Sequence, residues 1–324
     1  MRTYRLPSVT PPTFGPTGSG GKKRASHIRA RTADPAAELK FPDHWNKPDV
    51  RGALRAMQGY ACAYCGCDLR RNDPGDVEHF RPKGSLSDDP SHGGYWWLAY
   101  DLSNFVLACR CCNSTFKRSC FPVRPGAKNY QYSRRSKLKR EARLLLQPTV
   151  DDVDALIDFD LDHPLLRIVP REPVSSIQRK QIEGTVRFFD LDFEIGDERV
   201  EVATAVQQAL ERGDDDEVRA CAARYRKHSL LVVRMLERMR PDLLPTPEQE
   251  LLVLLDMLAD RLLPRIQALE LDATNTRAER IAQRLCWTLA VLWKDPPAAD
   301  GAWMKTQLDA RGLTAQVKPL FDQL

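Results

Sequence analysis

The chain has 324 residues, of which 42% are apolar and 29% charged, a globular composition long enough for about two domains of ~150 residues each. No run approaches the ~20 apolar residues that cross a bilayer, and residues 1–12 (MRTYRLPSVTPP) lack the apolar core of a secretory signal, so a cytoplasmic protein without a membrane partner is expected. The net charge of +5 is spread unevenly, which points to a polyanion as partner.

Residues 1–40 carry eight Lys or Arg against two acids and few large apolar side chains, and read as a basic flexible arm. Order is expected to begin near Phe41. Asp49 is placed to cap a helix over 50–58 that Gly59 closes. Residues 60–67 form a tight cysteine turn. A strand is expected over 76–80 (Asp-Val-Glu-His-Phe), halted by Arg81-Pro82, and another over 105–108 (Phe-Val-Leu-Ala). A helix over 114–119 follows the cysteines at 109–112. Residues 110–145 hold eleven Lys or Arg against Glu141 alone, and residues 134–146 read as a basic helix that turns apolar at Leu144-Leu145-Leu146. Residues 151–173 form an acidic linker whose six Asp between 151 and 162 lack the Gly and closing Glu of a calcium loop, so an acidic turn into a surface strand is expected. From 174 the pattern is helical, over 174–189, 196–212, 214–239, 246–270, 274–294 and a pair within 302–323. Leu230, Leu231, Val232, Met235 and Met239 share one face, as do Leu251, Leu254, Leu255, Leu258, Leu262 and Leu263, and these stripes are core. The fold class is α+β: a small cysteine-braced domain over 41–150, then a mostly α-helical domain over 174–324.

Seven of the nine cysteines lie between 62 and 120. A cytosolic chain does not hold such a set as disulfides, and dense local clustering reads as metal ligation. Cys62-x2-Cys65 and Cys109-x2-Cys112 are two knuckles whose four thiolates suit a structural Zn2+. Cys67 and Cys111 are alternative ligands, the latter by C-x-C chelation with Cys109, but x2 spacing in both halves is preferred. Cys120, Cys221 and Cys286 read as ordinary buried cysteines.

Between and beside the knuckles lie the residues that phosphodiester hydrolysis needs. That reaction takes a base for water, a hard cation against the phosphate and something to orient the base. The neutral imidazole of His79 can be the base. Glu78 and the side-chain oxygen of Asn113 are hard ligands suited to Mg2+. Glu78 and His79 alternate in direction along a strand, and the Asn104 amide can pin the strand to its loop and hold the His79 ring.

Cys62-x2-Cys65, Val77-Glu78-His79-Phe80-Arg81-Pro82-Lys83, Gly93-Gly94, Asn104-Phe105-Val106-Leu107-Ala108-Cys109 and Cys111-Cys112-Asn113-x3-Lys117 together resemble the HNH endonuclease module, a ββα-metal fold often braced by four cysteines. The string Tyr95-Trp96-Trp97-Leu98-Ala99-Tyr100-Asp101-Leu102-Ser103-Asn104, continued to Phe121-Pro122, is similar to the HNH subunits of Septu and retron anti-phage systems. The resemblance is close over 60–122 and looser as far as Leu191. It implies His79 as general base, Glu78 and Asn113 as ligands of one catalytic metal, Asn104 as the orienting middle residue, and Cys62, Cys65, Cys109 and Cys112 around zinc. Asn113 stands where many members have His, which favours Mg2+ or Mn2+. The implied reaction is in-line attack by a His79-activated water, leaving 5′-phosphate and 3′-hydroxyl ends. Arg81, Lys83 and Lys117 match basic positions near the phosphate, while Arg118 and the helix carrying Arg134, Arg135 and Lys137 would follow the nucleic-acid backbone with little regard for sequence. DNA is expected as substrate before RNA, in anti-phage defence, and the helical half over 174–324 is either a dock for an ATPase subunit or a self-contained cap on the nuclease. The alternative is a zinc-braced nucleic-acid-binding adapter without chemistry, which has no need of the Glu78, His79, Asn104 and Asn113 set.

Overall fold

The computed structural model describes residues 1–70, 75–131, 138–193 and 195–324. In chain order its helices are α1 (Ser19–Ala33), α2 (Pro48–Gln58), α3 (Val153–Leu156), α4 (Ser176–Phe188), α5 (Gly196–Arg212), α6 (Asp215–Ala222), α7 (Ser229–Met239), α8 (Pro247–Leu271), α9 (Thr276–Lys294), α10 (Gly301–Ala310) and α11 (Thr314–Phe321). Its strands are β1 (Asp76–His79), β2 (Phe105–Ala108), β3 (Ile157–Phe159) and β4 (Ile168–Pro170), paired as two antiparallel two-stranded sheets, β1 with β2 and β3 with β4. The protein is therefore mixed α/β and mostly helical. No helix among the described residues is long and apolar enough to cross a membrane. The chain divides into two compact units, one made of Met1–Tyr4, Tyr60–Ala99 and Ser103–Leu244, the other of Arg5–Gly59, Tyr100–Leu102 and Pro245–Leu324.

The first unit is built around the β1–β2 sheet. All four residues of β2 are buried, as a short continuous apolar run requires, and Leu69, Phe80, Leu86, Tyr95 and Phe121 complete the core around it. The acidic stretch after 150 supplies caps and ion pairs within this unit. Asp152 caps α3 by accepting from the Ala155 N–H at 3.2 Å, and Asp154 accepts from Arg2 Nε at 3.1 Å. Ser175 and Gln178 close a reciprocal capping box at the start of α4. The expected single helix over 214–239 is two helices. Between them His228 takes φ +50, its N–H donates to the Gly66 carbonyl at 3.1 Å and its ring meets Glu198 at 3.0 Å, so tertiary bonds override local propensity. The expected basic helix over 134–146 is also different where it can be followed. Residues 132–137 lie outside the described residues. Leu138–Arg140 make one 3-10 turn, and Arg143 then bridges to Val123 as extended chain. Inward partners explain the loss of helix, since Glu141 is drawn to Arg81 and Arg143 to Asp151, at 2.8 and 2.6 Å.

In the second unit α2 lies against α9. Gly52 permits the approach: a Cβ there would meet Trp287 Cβ at 2.5 Å and the Thr288 nitrogen at 2.9 Å. Pro48 opens α2, and Asp49 sits in its first turn rather than at the cap, accepting from the Thr13 N–H and hydroxyl at 2.7 and 2.8 Å. Gly59 closes α2 at φ +69, as expected. The stretch 1–40, read as a flexible arm, contains α1. That helix has no apolar stripe and buries only Gly20 and His27, with the His27 ring reaching the Lys40 carbonyl at 3.0 Å and the edge of Phe41. The helices expected over 246–270, 274–294 and 302–323 correspond to α8, α9 and the pair α10–α11.

Candidate metal and catalytic site

The cysteine knuckles are folded by backbone bonds onto the end of β2. The Ala63 N–H donates to the Leu107 carbonyl at 3.0 Å, the Gly66 N–H to the Cys62 carbonyl at 3.0 Å, and Gly66 takes φ +82 to let the chain reverse. The Cys109 N–H donates to Cys62 Sγ, and the Cys112 N–H to Cys109 Sγ, each at 3.3 Å. As a result the Sγ atoms of Cys62, Cys65, Cys67 and Cys109 all lie within 4.8 Å of one another. This corrects the expected quartet of Cys62, Cys65, Cys109 and Cys112 by bringing Cys67 into it. Cys112 is buried next to this quartet, its N–H donating to Cys109 Sγ, but it is not among the four sulfurs that lie within 4.8 Å of one another. Cys111 is exposed. Burial opposes ionisation of Cys62, but hydrogen bonds from Cys109, Cys112, Cys65 and Cys67 outweigh it and hold its thiol well below the usual range. The Cys112 thiol likewise pulls Cys109 down to about 4. Their neighbours push Cys65, Cys67 and Cys112 the other way, so thiolate charge is favoured at Cys62 and Cys109 alone, and an all-sulfur set suits a soft or borderline ion.

Next to this cluster, β1 and β2 pair Asp76 with Ala108, Val77 with Leu107, Glu78 with Val106 and His79 with Phe105. Both Glu78 and His79 are buried. The His79 ring stands edge-on to Phe105, 4.7 Å between centroids, and its Nε2 lies 3.2 Å from the Ala99 carbonyl. A carbonyl only accepts, so the neutral ring carries its hydrogen on Nε2 and its lone pair on Nδ1. Burial pushes the His79 imidazole down to about 3, with Lys83 adding to the effect, and the ring is neutral at physiological pH. Burial pushes Glu78 up to about 7 against the pull of Lys117 and Lys83. The Glu78 Oε1 atom is buried, accepts no hydrogen bond among the described residues, and faces the Lys117 ammonium at 3.4 Å.

Asn104 clasps the loop after β1. Its Oδ1 accepts from the Arg81 N–H at 2.9 Å, and its Nδ2 donates to the Arg81 carbonyl at 2.9 Å and to the Leu98 carbonyl at 3.4 Å. It pins strand to loop as expected, while the carbonyl of Ala99 holds the His79 ring. Asn113 follows Cys112 on the helical stretch Cys111–Lys117, and its Nδ2 donates to Asp76 Oδ2 at 2.8 Å. That bond uses the amide nitrogen and leaves Oδ1 as the acceptor of the side chain. Asp76 was not singled out from the sequence. Its signal was an acid two residues before Glu78, on the same face of the strand.

The cationic residues expected at the phosphate divide. Arg81 is 3% exposed and fully committed inside, to Glu141 at 2.8 Å, to Gln147 at 2.9 Å and to the Leu138 carbonyl at 3.3 Å. Lys117 is fully buried, 3.4 Å from Glu78 Oε1. Lys83 is half-buried and Arg118 exposed. Arg134, Arg135 and Lys137 lie outside the described residues. Arg110, Lys128 and Arg140 are exposed cations.

No family model matches the chain. No solved structure matches it either. Over 131 residues the chain is 30% identical to the Septu protein PtuB of Bacillus mycoides (strain KBAB4), a match that takes in 38% of this chain and only 42% of that relative's length.

Proposed function

We propose that the chain is a metal-dependent HNH endonuclease that hydrolyses phosphodiester bonds, DNA before RNA, as the effector of an anti-phage defence system. The observation that carries this reading is the buried carboxylate and neutral imidazole side by side on β1, with Asn113 on the element that follows β2. The order β1, β2, helical stretch is that of a ββα-metal module. His79, its Nε2–H tied to the Ala99 carbonyl, takes a proton from water at Nδ1. Asn104 keeps the loop beyond β1 in place, so that the base keeps its position. Glu78 and Asn113 would hold Mg2+ or Mn2+, hard-oxygen donors for a hard ion, and the ion would offset charge building on the phosphate and leaving oxygen. The cysteine cluster would hold Zn2+ as a brace for β2, supplying folding energy rather than chemistry. Exposed Arg110, Arg118, Lys128 and Arg140 supply backbone contacts independent of sequence. The similarity to a Septu protein supports the defence role, and the helical half is proposed to dock an ATPase subunit.

The test is nicking of supercoiled plasmid by the full chain with Mg2+ or Mn2+. Replacing His79 by Ala is expected to slow nicking by at least ~100-fold, the scale of a lost general base. Equal nicking by wild type and His79→Ala would refute the catalytic assignment and leave a nucleic-acid-binding adapter.

A further inference from the structure

Lys117 closes the helical stretch Cys111–Lys117, which is wound in wide i→i+5 turns, and Arg118 leaves it at φ +46. Both features cost energy in a non-glycine segment and persist where something requires them. Their effect here is to carry an ammonium into the interior. Lys117 is fully buried, and its Nζ stands 3.4 Å from Glu78 Oε1, which is itself almost fully buried. Neither atom has a hydrogen-bond partner among the described residues. Beyond Glu78, the charge is favoured by the Phe121 ring, 5.8 Å from Nζ, and more weakly by Cys120 and Asp88.

A buried ion pair offsets its desolvation cost only with close geometry and further hydrogen bonds on both partners. This pair is long at 3.4 Å, and of its two partners only the carboxylate gains a further hydrogen bond, from the His79 backbone, so the ammonium is poorly compensated. The Arg81–Glu141 pair of the same unit shows the contrast, with a 2.8 Å contact and further acceptors for the guanidinium. Lys117 also sits at the one carboxylate that the proposed reaction requires for its cation.

We propose that Lys117 is a resident counter-ion: its ammonium holds the place beside Glu78 in the ion-free protein, and a divalent cation binds there by displacing it. Two cations cannot share one buried carboxylate without strong repulsion. Lys117 therefore sets the concentration of divalent ion at which the site fills, and keeps the site closed below it. The proposal rests on the nuclease reading of Glu78 and adds to it a threshold built into the fold.

The experiment is a Mn2+ titration at pH 8 of the full chain with its zinc bound, comparing wild type, Lys117→Met, Lys117→Arg and Glu78→Gln by calorimetry. Lys117→Met is expected to bind Mn2+ at least about tenfold more tightly than wild type, Lys117→Arg to stay near wild type, and Glu78→Gln to lose binding. In parallel, labelling of wild-type lysines with an amine-reactive reagent, read by mass spectrometry, is expected to reach Lys117 several-fold faster once Mn2+ is added. This second measurement does not depend on how a variant folds. Unchanged or weaker Mn2+ binding by Lys117→Met at wild-type zinc content overturns the proposal, and so does Lys117 labelling that ignores Mn2+. Wild-type binding that Glu78→Gln abolishes, without tightening in Lys117→Met, overturns the counter-ion alone. Absence of Glu78-dependent binding in both wild type and Lys117→Met overturns the counter-ion and the nuclease reading together.

Discussion

Glu78 and His79 are adjacent in sequence, yet burial drives them in opposite senses, the carboxyl up to about 7 and the imidazole down to about 3. Each shift links protonation to stability. His79 has its folded value below its ordinary 6.5, so its contribution is complete above pH 6.5 and is lost as pH falls toward about 3. Glu78 has its folded value above its ordinary 4.5, so its contribution is complete below pH 4.5 and is lost as pH rises through about 7. The His79 contribution is isolated by comparison with His79→Leu. In urea unfolding, the stability of wild type relative to this variant is expected to fall steadily between pH 6.5 and pH 4. A constant difference over that window would contradict the burial of a neutral ring. Residue types told what Glu78, His79 and Asn104 are able to do, because their chemistry is local. The fates of Arg81 and Lys117 were not legible. A cation looks the same in sequence whether it faces water or a carboxylate, and the partner of Arg81 is Glu141, 60 positions further on.

At the scale of elements, the C-x2-C spacing announced the knuckles, since two thiolates so placed share one side of a turn. The spacing did not settle which sulfurs form the quartet, because Cys67 reaches the cluster only through the reversal at Gly66. Cys62 is buried in the quartet and its Sγ accepts from the Cys109 N–H, whereas Cys111 is exposed and outside it. Cys62→Ser is therefore expected to lose the bound zinc and to lower the thermal transition by more than about 5 °C, while Cys111→Ser keeps both. Metal analysis of the purified proteins and calorimetry check this, and full zinc occupancy in Cys62→Ser would contradict the cluster. β1, β2 and the strongly amphipathic helices were legible because apolar periodicity encodes them. The break between α6 and α7 was not, since bonds from His228 to Gly66 and Glu198 produce it. Residues 138–146 read as helix by composition, and inward pairs of Glu141 and Arg143 hold them otherwise.

At the scale of the whole molecule, each of the two units is assembled from three separated stretches of chain. Composition shifts near 41, 151 and 174 mark changes in local character, but the borders of the units follow contacts between distant elements, such as α2 against α9 across Gly52. The candidate site belongs wholly to the first unit, where β1, β2 and the knuckles lie in two stretches, Tyr60–Ala99 and the start of Ser103–Leu244, separated only by Tyr100–Leu102. This near-contiguity explains why a local motif was readable while the arm containing α1 was not. The measurement that bears most directly on the account is the rate of plasmid nicking by wild type and Glu78→Gln at equal zinc content, with and without Mg2+. The account predicts nicking by wild type only when Mg2+ is present, and a rate at least ~100-fold lower in Glu78→Gln. Nicking that proceeds without a divalent ion, or that Glu78→Gln leaves unchanged, would contradict it.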